Sequence, residues 1–409
     1  MEKTRILLII PNLGMGGAQR VFHQQLALLS PYFSVQGCVF NWDGAFDEDK
    51  ADSILSLEVP AGRTWIRKIS YFVLRVVRLR KLKRQMDIKV SISHLEGADY
   101  INLFSSGSDK VICWIHGTKK FDGNIKGFVG LIRKYILMPL IYRRVDKIVT
   151  VSKGIKEELK NTFKDVDTLL DTVYNGFDVE LIQKLASDPV DAAFIQMTST
   201  SEIIITHGRL SRQKNLRALI NIFRESRKSV GSKLVIIGDG ELRQELLSEC
   251  QQLGLKTWSC WEKMPWDDHH EVYFLGHQQN PFKYLKHASL YVMTSAWEGF
   301  PLALCEAMVC RLPVMAADCY TGPREILAPE ISLSQLVSVP YYANFGLLMP
   351  LAEAADTTVM KMWCEALMDM LGNKHRLKSY SEVGIKRICD FDLQLIINQT
   401  VEVINGVNH

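Results

Sequence analysis

The sequence predicts an α/β protein built from two Rossmann-like βαβ domains. Short, continuously apolar runs such as Arg5–Ile10, Lys110–Ile115 and Leu290–Met293 have the length and composition of buried strands. Each runs into a loop rich in glycine, histidine or charge, and a helical period follows. The chain has 409 residues, enough for two domains of roughly 100–200 residues each. A small, polar stretch at 187–201 reads as the linker, which sets domains at 1–186 and 202–389.

Composition narrows the function classes. Hydrophobic residues make up 47% and charged residues 23%, ordinary globular values, and the net charge of +4 is too small to argue for nucleic acid. The nine cysteines form no Cys-x-x-Cys pair, and several, such as Cys38, Cys113 and Cys305, sit in apolar runs. That pattern fits reduced thiols in the cytoplasm. Cys260, His269 and His270 match no zinc spacing, so no metal site is expected. The run Ile6–Ile10 is shorter than a signal-peptide core, and no run approaches the ~20 apolar residues of a membrane span.

In the first half, strand Arg5–Ile10 leads into Pro11–Arg20, a glycine-rich loop that opens helix Val21–Leu29. Gly16 and Gly17 let the backbone approach a ligand closely. The spacing is not Gly-x-Gly-x-x-Gly, and strand Val35–Phe40 has no ribose acid at its tip unless Asp43 serves, which speaks against a dinucleotide site. From Arg63 to Arg84 nine basic residues and no acidic one alternate with Ile66, Ile69, Phe72, Val73, Val76 and Val77. A helix here gathers Arg67, Lys68, Arg75 and Arg78 opposite the Ile69, Phe72, Val73, Val76 face. It reads as a membrane-surface helix or as a solvated domain helix. Strand Lys89–His94 follows, then Lys110–Ile115 ending at His116, at the strand end where such sheets place ligands. The 127–145 stretch is apolar with spaced basic residues, and Lys147–Val151 is a further strand.

The second half repeats the scheme. Strand Glu202–Thr206 runs into His207–Asn215, which carries Arg209 and Lys214. Lys233–Ile237 precedes a Gly-Asp-Gly-Glu turn and helix Leu242–Leu253; residues 257–271 read as an inserted loop. Leu290–Met293 enters Thr294–Glu306, in which Glu298 and Glu306 frame a Gly-Phe-Pro turn. Pro301 suits the first helical position, and the free N–H groups of that turn make an anion site. Gly322–Glu325 opens another helix end, 327–343 reads as a loop, and helices are expected at Trp363–Leu371, Lys374–Arg387 and 390–404.

The Glu-x7-Glu spacing with Gly-Phe-Pro inside it, joined to Arg209-x4-Lys214, resembles the donor site of the retaining family 4 glycosyltransferases of the GT-B fold. The resemblance covers nearly the whole chain. It implies two domains facing across a cleft, with the last helix (390–409) crossing back onto the first. It implies that Gly16 and Gly17 meet the donor, and that Arg209 and Lys214 clamp its diphosphate. The backbone of Gly299, Phe300, Pro301 and Leu302 joins them, and Glu306 takes ribose hydroxyls. His116 and Glu298 hold the sugar, so His116, Glu298, Arg209 and Lys214 form the expected catalytic set. Family chemistry implies no metal and a UDP- or GDP-linked sugar as co-substrate. Asp165-Val166-Asp167 looks like the metal motif of the other glycosyltransferase fold, but it follows no clear apolar strand and reads as a loop. The Ser295–Glu306 and Gly322–Leu327 strings look most like bacterial enzymes that extend lipid-linked surface polysaccharides such as O-antigen or capsule. The implied partners are a polyprenyl-diphosphate-linked saccharide and the inner face of the cell membrane, with no nucleic acid. One departure is Arg311-Leu312 before Pro313, where the family carries a small residue or glycine.

Two alternatives stand beside this reading. A nucleotide-sugar epimerase shares the architecture but does not need both charged pairs. A silent scaffold subunit would not need His116, Arg209, Lys214, Glu298 and Glu306 intact.

Overall fold

The computed structural model describes residues 3–14, 16–42, 53–62, 64–120, 130, 132–163, 165–262, 264–353 and 356–408. Asp43, Arg63 and residues 127–129 lie outside the described residues. The chain divides into two compact units, residues 1–176 with 394–409, and residues 177–393.

The first unit holds a parallel seven-stranded sheet. Its strands are β1 (Arg5–Ile10), β2 (Ser34–Val39), β3 (Ile54–Ser56), β4 (Val90–His94), β5 (Lys110–Ile115), β6 (Lys147–Thr150) and β7 (Leu170–Thr172). They lie in the order β3-β2-β1-β4-β5-β6-β7. Strand order therefore reverses between β1 and β4, and crevices at such switch points bind ligands in open α/β sheets. Ile6–Ile10 are fully buried because helices cover both faces. The helices include α1 (Gly17–Leu28), α2 (Trp65–Gln85) and α3 (Glu96–Phe104). The part of the 127–145 stretch that is described is a π-helical turn, Arg133–Leu137, running into helix Met138–Tyr142. Asp165 and Asp167 do form a turn, and their carboxylates pair with Arg143 and Lys160, each at 3.1 Å.

The basic stretch is the helix α2, capped by the Thr64 hydroxyl. Its faces differ from the helical-wheel expectation. Phe72 and Val76 are half-buried against the core, together with Tyr71, Leu74 and Leu82. Arg75 lies over the Phe40 ring at 4.6 Å and donates to the carbonyls of Val59 and Pro60. Arg78 donates to the carbonyls of Leu57 and Glu58. Lys83 is buried in an ion pair with Asp109 at 2.8 Å. These cations anchor the helix to its own unit. The surface face instead carries Trp65, Ile66, Ile69, Val73 and Val77, each more than half exposed, with exposed Arg67, Lys68, Lys81 and Arg84.

The second unit opens with α4 (Val179–Ala186) and α5 (Ala192–Thr200). The stretch expected as a linker is thus largely helical, with Phe194 and Met197 buried, and the division by contacts falls at Gly176–Phe177. Its sheet has eight strands in the order β10-β11-β9-β8-β12-β13-β15-β14, parallel except for the last pair. They are β8 (Glu202–His207), β9 (Ser232–Ile237), β10 (Thr257–Ser259), β11 (Val272–Gly276), β12 (Leu290–Met293), β13 (Val314–Ala317), β14 (Tyr341–Ala343) and β15 (Gly346–Met349). The 257–271 segment is therefore not only a loop, because β10 extends the sheet edge. The switch point lies between β8 and β12. Helix α6 (Leu302–Val309) follows β12, and Pro301 caps it in extended conformation instead of occupying its first turn.

Beyond α6 and its C-cap Cys310, Arg311 adopts the left-handed conformation (φ 59°). Arg311 N–H donates to Met308 O and Leu312 N–H to Ala307 O, each at 3.0 Å. This is the Schellman closure that glycine usually provides. The departure from the family pattern leaves the turn tight, and the Arg311 side chain reaches solvent. The C-terminal helix, Leu393–Asn408, falls with the first unit from Gln394 on, where Gln394 donates to the Tyr32 hydroxyl at 3.2 Å.

Candidate functional site

In the second unit two loops at the β8/β12 switch point are laced together. Gly208 and Gly238, both at positive φ, cross so closely that a Cβ on Gly238 would lie 1.9 Å from Gly208 O. The crossing fixes the path of residues 208–215. Gln213 O then accepts from Ala296 N–H at 2.8 Å, and Thr294 Oγ1 donates to Lys214 O at 3.2 Å.

That lacing brings Lys214 Nζ to 2.7 Å from Glu298 Oε1, while Gln213 Nε2 donates to Glu298 Oε2 at 3.1 Å and to Trp297 O at 2.9 Å. Burial alone would lower the Lys214 pKa; the Glu298 carboxylate and Tyr291 outweigh it and raise it. Beneath them burial pushes the Tyr291 phenol up to about 12. Beside this pair His207 Nε2 lies 2.7 Å from Glu306 Oε2, with both side chains buried. Residues of both loops, Gly208, Lys214, Thr294 and Ser295 among them, line a narrow cleft with His207 and Arg209.

A third loop supports the turn before α6. A Cβ on Gly322 (φ 93°) would lie 2.5 Å from Pro301 Cδ and 3.1 Å from Gly299 O, so only glycine lets this loop close. Thr321 Oγ1 donates to Glu298 O, and Arg324 grips buried Asp318 with two nitrogens. The Leu302 and Ala303 N–H groups precede the first bond of the helix, Leu304 N–H to Pro301 O at 3.1 Å, and carry the positive end of its dipole. Phe300 packs on Phe177 and Phe391, at ring-centroid distances of 6.4 and 5.1 Å.

Of the expected residues in this unit, Lys214, Glu298, Glu306 and the 299–302 backbone come together. Arg209 lines the same cleft as Lys214 but is turned to another partner. Its Nε pairs with Glu241 at 3.0 Å, and its side chain is two-thirds exposed. The sequence reading assigned no role to His207, Gln213 or Thr321. His207 stands at the end of β8 as His116 stands just past β5, and that shared position was the available signal.

In the first unit Gly16 caps α1 in extended conformation and Gly17 starts it, both exposed. A Cβ on Gly16 would meet only the end of the Gln19 side chain, so the glycine there keeps the approach open. His116 lies with its Nε2 2.8 Å from Nδ1 of buried His94.

Residues 15–181 match the Glycosyltransferase Family 4 model and residues 191–343 the Glycosyl transferases group 1 model. An uncharacterized glycosyltransferase of Methanocaldococcus jannaschii is 31% identical over 359 residues, spanning 83% of this chain and 84% of that protein. The chain belongs to the family 4 glycosyltransferases. Another relative of this glycosyltransferase, 28% identical over 99% of this chain and 100% of its own, is from Campylobacter jejuni. It is the N-acetylgalactosamine-N,N'-diacetylbacillosaminyl-diphospho-undecaprenol 4-alpha-N-acetylgalactosaminyltransferase. Among solved structures, Anabaena HepE in complex with UDP and glucose aligns with a TM-score of 0.73 at 16% identity, over 98% of this chain and 100% of that one, a likeness of GT-B fold. Among the described residues no helix is long and apolar enough to cross a membrane.

Proposed function

We propose that this glycosyltransferase moves a sugar, with retention at the anomeric carbon, from a UDP- or GDP-linked donor to a polyprenyl-diphosphate-linked saccharide at the membrane surface. The observation that carries the reading is the paired arrangement at the β8/β12 switch point, Lys214 with Glu298 and His207 with Glu306. Glu306 takes the ribose hydroxyls. Lys214 and the Leu302 and Ala303 N–H groups meet the diphosphate, with Arg209 released from the exposed Glu241 pair to join them. The bond from anomeric carbon to diphosphate oxygen breaks with its electrons staying on the diphosphate. The acceptor hydroxyl bonds to the same face of that carbon, and its proton passes to a phosphate oxygen. Fixed donors aimed at the developing charge contribute most to such a step; one of them is worth about 3 kcal/mol. Gly16, Gly17 and His116 are the residues of the first unit assigned to the sugar, and the positive charges named above are assigned the role that a metal would otherwise fill.

The lipid-linked acceptor is supported by the full-length Campylobacter relative, whose name carries an undecaprenol acceptor. The outer face of α2 supports the membrane contact. Its apolar line Trp65–Ile69–Val73–Val77 is flanked by Arg67, Lys68, Lys81 and Arg84, the composition of a helix that lies in the interface of anionic lipid. The test supplies UDP- and GDP-sugars with an undecaprenyl-diphosphate-linked saccharide, and reads free nucleoside diphosphate and the anomeric configuration of the product. An inverted linkage refutes retention. An epimerised nucleotide sugar formed without acceptor establishes the epimerase instead.

A further inference from the structure

His94 and His116 lie at the carboxyl ends of neighbouring parallel strands. His94 is in register with Trp114, and His116 follows Trp114 by two residues, just past the end of β5. Alternation along a strand therefore sets Trp114, His94 and His116 on one face. Their rings form a ladder, His94 to His116 at 5.1 Å and His94 to Trp114 at 6.1 Å between centroids, each pair inclined by 29°. Phe22 closes the side of His94 edge-on at 5.7 Å. His94 is fully buried and His116 partly exposed.

One proton is shared in the 2.8 Å contact between His94 Nδ1 and His116 Nε2, and the surroundings decide who owns it. The second nitrogen of His94, Nε2, is buried and has no partner among the described residues. Were His116 the donor, neutral His94 would carry its proton on that orphaned nitrogen. A buried N–H without an acceptor is rarer and costlier than a bare acceptor. The proton therefore sits on His94 Nδ1 and is donated, His116 accepts at Nε2, and the proton of neutral His116 resides on Nδ1. Both rings stay neutral. Burial lowers each, with His94 well below its ordinary value and His116 at about 3, where Lys119 adds to the effect.

We infer that His94 is a positioning residue that locks His116 in the Nδ1–H tautomer, making His116 a neutral hydrogen-bond donor to an oxygen of the donor sugar. This goes beyond assigning His116 to the site and rests on that assignment. It makes His116 unable to act as a general base through Nδ1.

The test labels histidine with 15N and reads the His116 tautomer from two-bond proton–nitrogen correlations, with His116→Ala identifying the signals. The wild-type chain should show the proton on Nδ1. His94→Asn, whose amide can replace the Nδ1–H donor, should keep that pattern and most turnover. His94→Leu should release His116 into a tautomer mixture and lower kcat at least tenfold with a smaller change in KM, as loss of an orienting partner does elsewhere. A wild-type His116 protonated on Nε2, or a tautomer unchanged in His94→Leu, overturns the inference even where that variant is poorly stable, since the wild-type spectrum alone decides the first point. A released tautomer with unchanged turnover also overturns it. Wild-type turnover in His116→Ala instead removes the assignment of His116 to the sugar.

Discussion

Lys214 and Glu298, 84 positions apart, form an ion pair of 2.7 Å in which the cation is one-fifth exposed and the carboxylate 7% exposed. The pair is part of the frame of the site, and the proposed function gives it a part in the chemistry as well. Lys214→Ala should therefore abolish most turnover and also cost about 3 kcal/mol of stability, because it strands a buried carboxylate. Lys214→Met with Glu298→Gln should recover much of that stability and none of the activity. Urea unfolding beside product release checks both; a Lys214→Ala chain as stable as wild type means that the pair opens to solvent.

Asp99 offers a pH test. Its Oδ1 accepts from Ser93 at 2.7 Å and its Oδ2 has no partner among the described residues. Burial raises its pKa from 3.8 to about 7. An acid whose folded pKa is raised gives stability that is present below pH 3.8 and is lost as pH rises through 7. Asp99→Asn should be more stable than wild type by about 4 kcal/mol at pH 8, and the gap should close towards pH 4. Denaturant midpoints across that range measure it, and a gap constant with pH contradicts the assignment to Asp99.

Arg311 is a non-glycine residue in a glycine conformation, with an exposed side chain. Arg311→Gly should raise stability by up to about 1 kcal/mol and leave turnover unchanged. Thermal melts of the two proteins are sufficient.

For the membrane, the residues to change follow from the packing of α2. Ile69→Ser with Val73→Ser and Val77→Ser should weaken binding to anionic vesicles. Arg67, Lys68, Lys81 and Arg84 changed to Gln should weaken it by about 1 kcal/mol each at low salt. Arg75→Gln and Arg78→Gln should instead lower the melting temperature, since both side chains hold backbone carbonyls of their own unit. Vesicle sedimentation at two salt concentrations separates the cases. Unaltered sedimentation of the triple serine variant removes α2 from the membrane contact.

If the positive charge at the diphosphate comes from Lys214, Arg209 and the α6 N-terminus alone, EDTA should leave turnover within twofold. Metal-reversible loss of activity would show otherwise.

The sequence made legible those features that rest on local pattern. Ile6–Ile10 and Leu290–Met293 read as strands because parallel strands buried on both faces are apolar throughout. Ile54–Ser56, Leu170–Thr172 and Thr257–Ser259 did not, because three residues carry no period and are strands only through a neighbour in the sheet. Glu298, Glu306 and Lys214 were visible in their spacing, whereas the pairing of Arg209 with Glu241 depends on how two strand-end loops meet. A helical wheel for α2 locates apolar residues without saying which of them face the sheet. Phe72 and Val76 went inward, and Ile69 and Val73 stayed outside.

The placement of the C-terminal helix has a consequence for synthesis. Residues 177–393 form one unit without interruption, while the first unit takes up 394–409 from the far end of the chain. Ile396, Ile397, Thr400 and Ile404 of that helix are buried in the finished protein. At roughly 5–20 residues per second, the ribosome needs roughly 10–40 s to make the intervening unit. Throughout that interval the nascent first unit lacks its closing helix, and the apolar surface awaiting it is open to chaperones or to neighbouring chains on the same message.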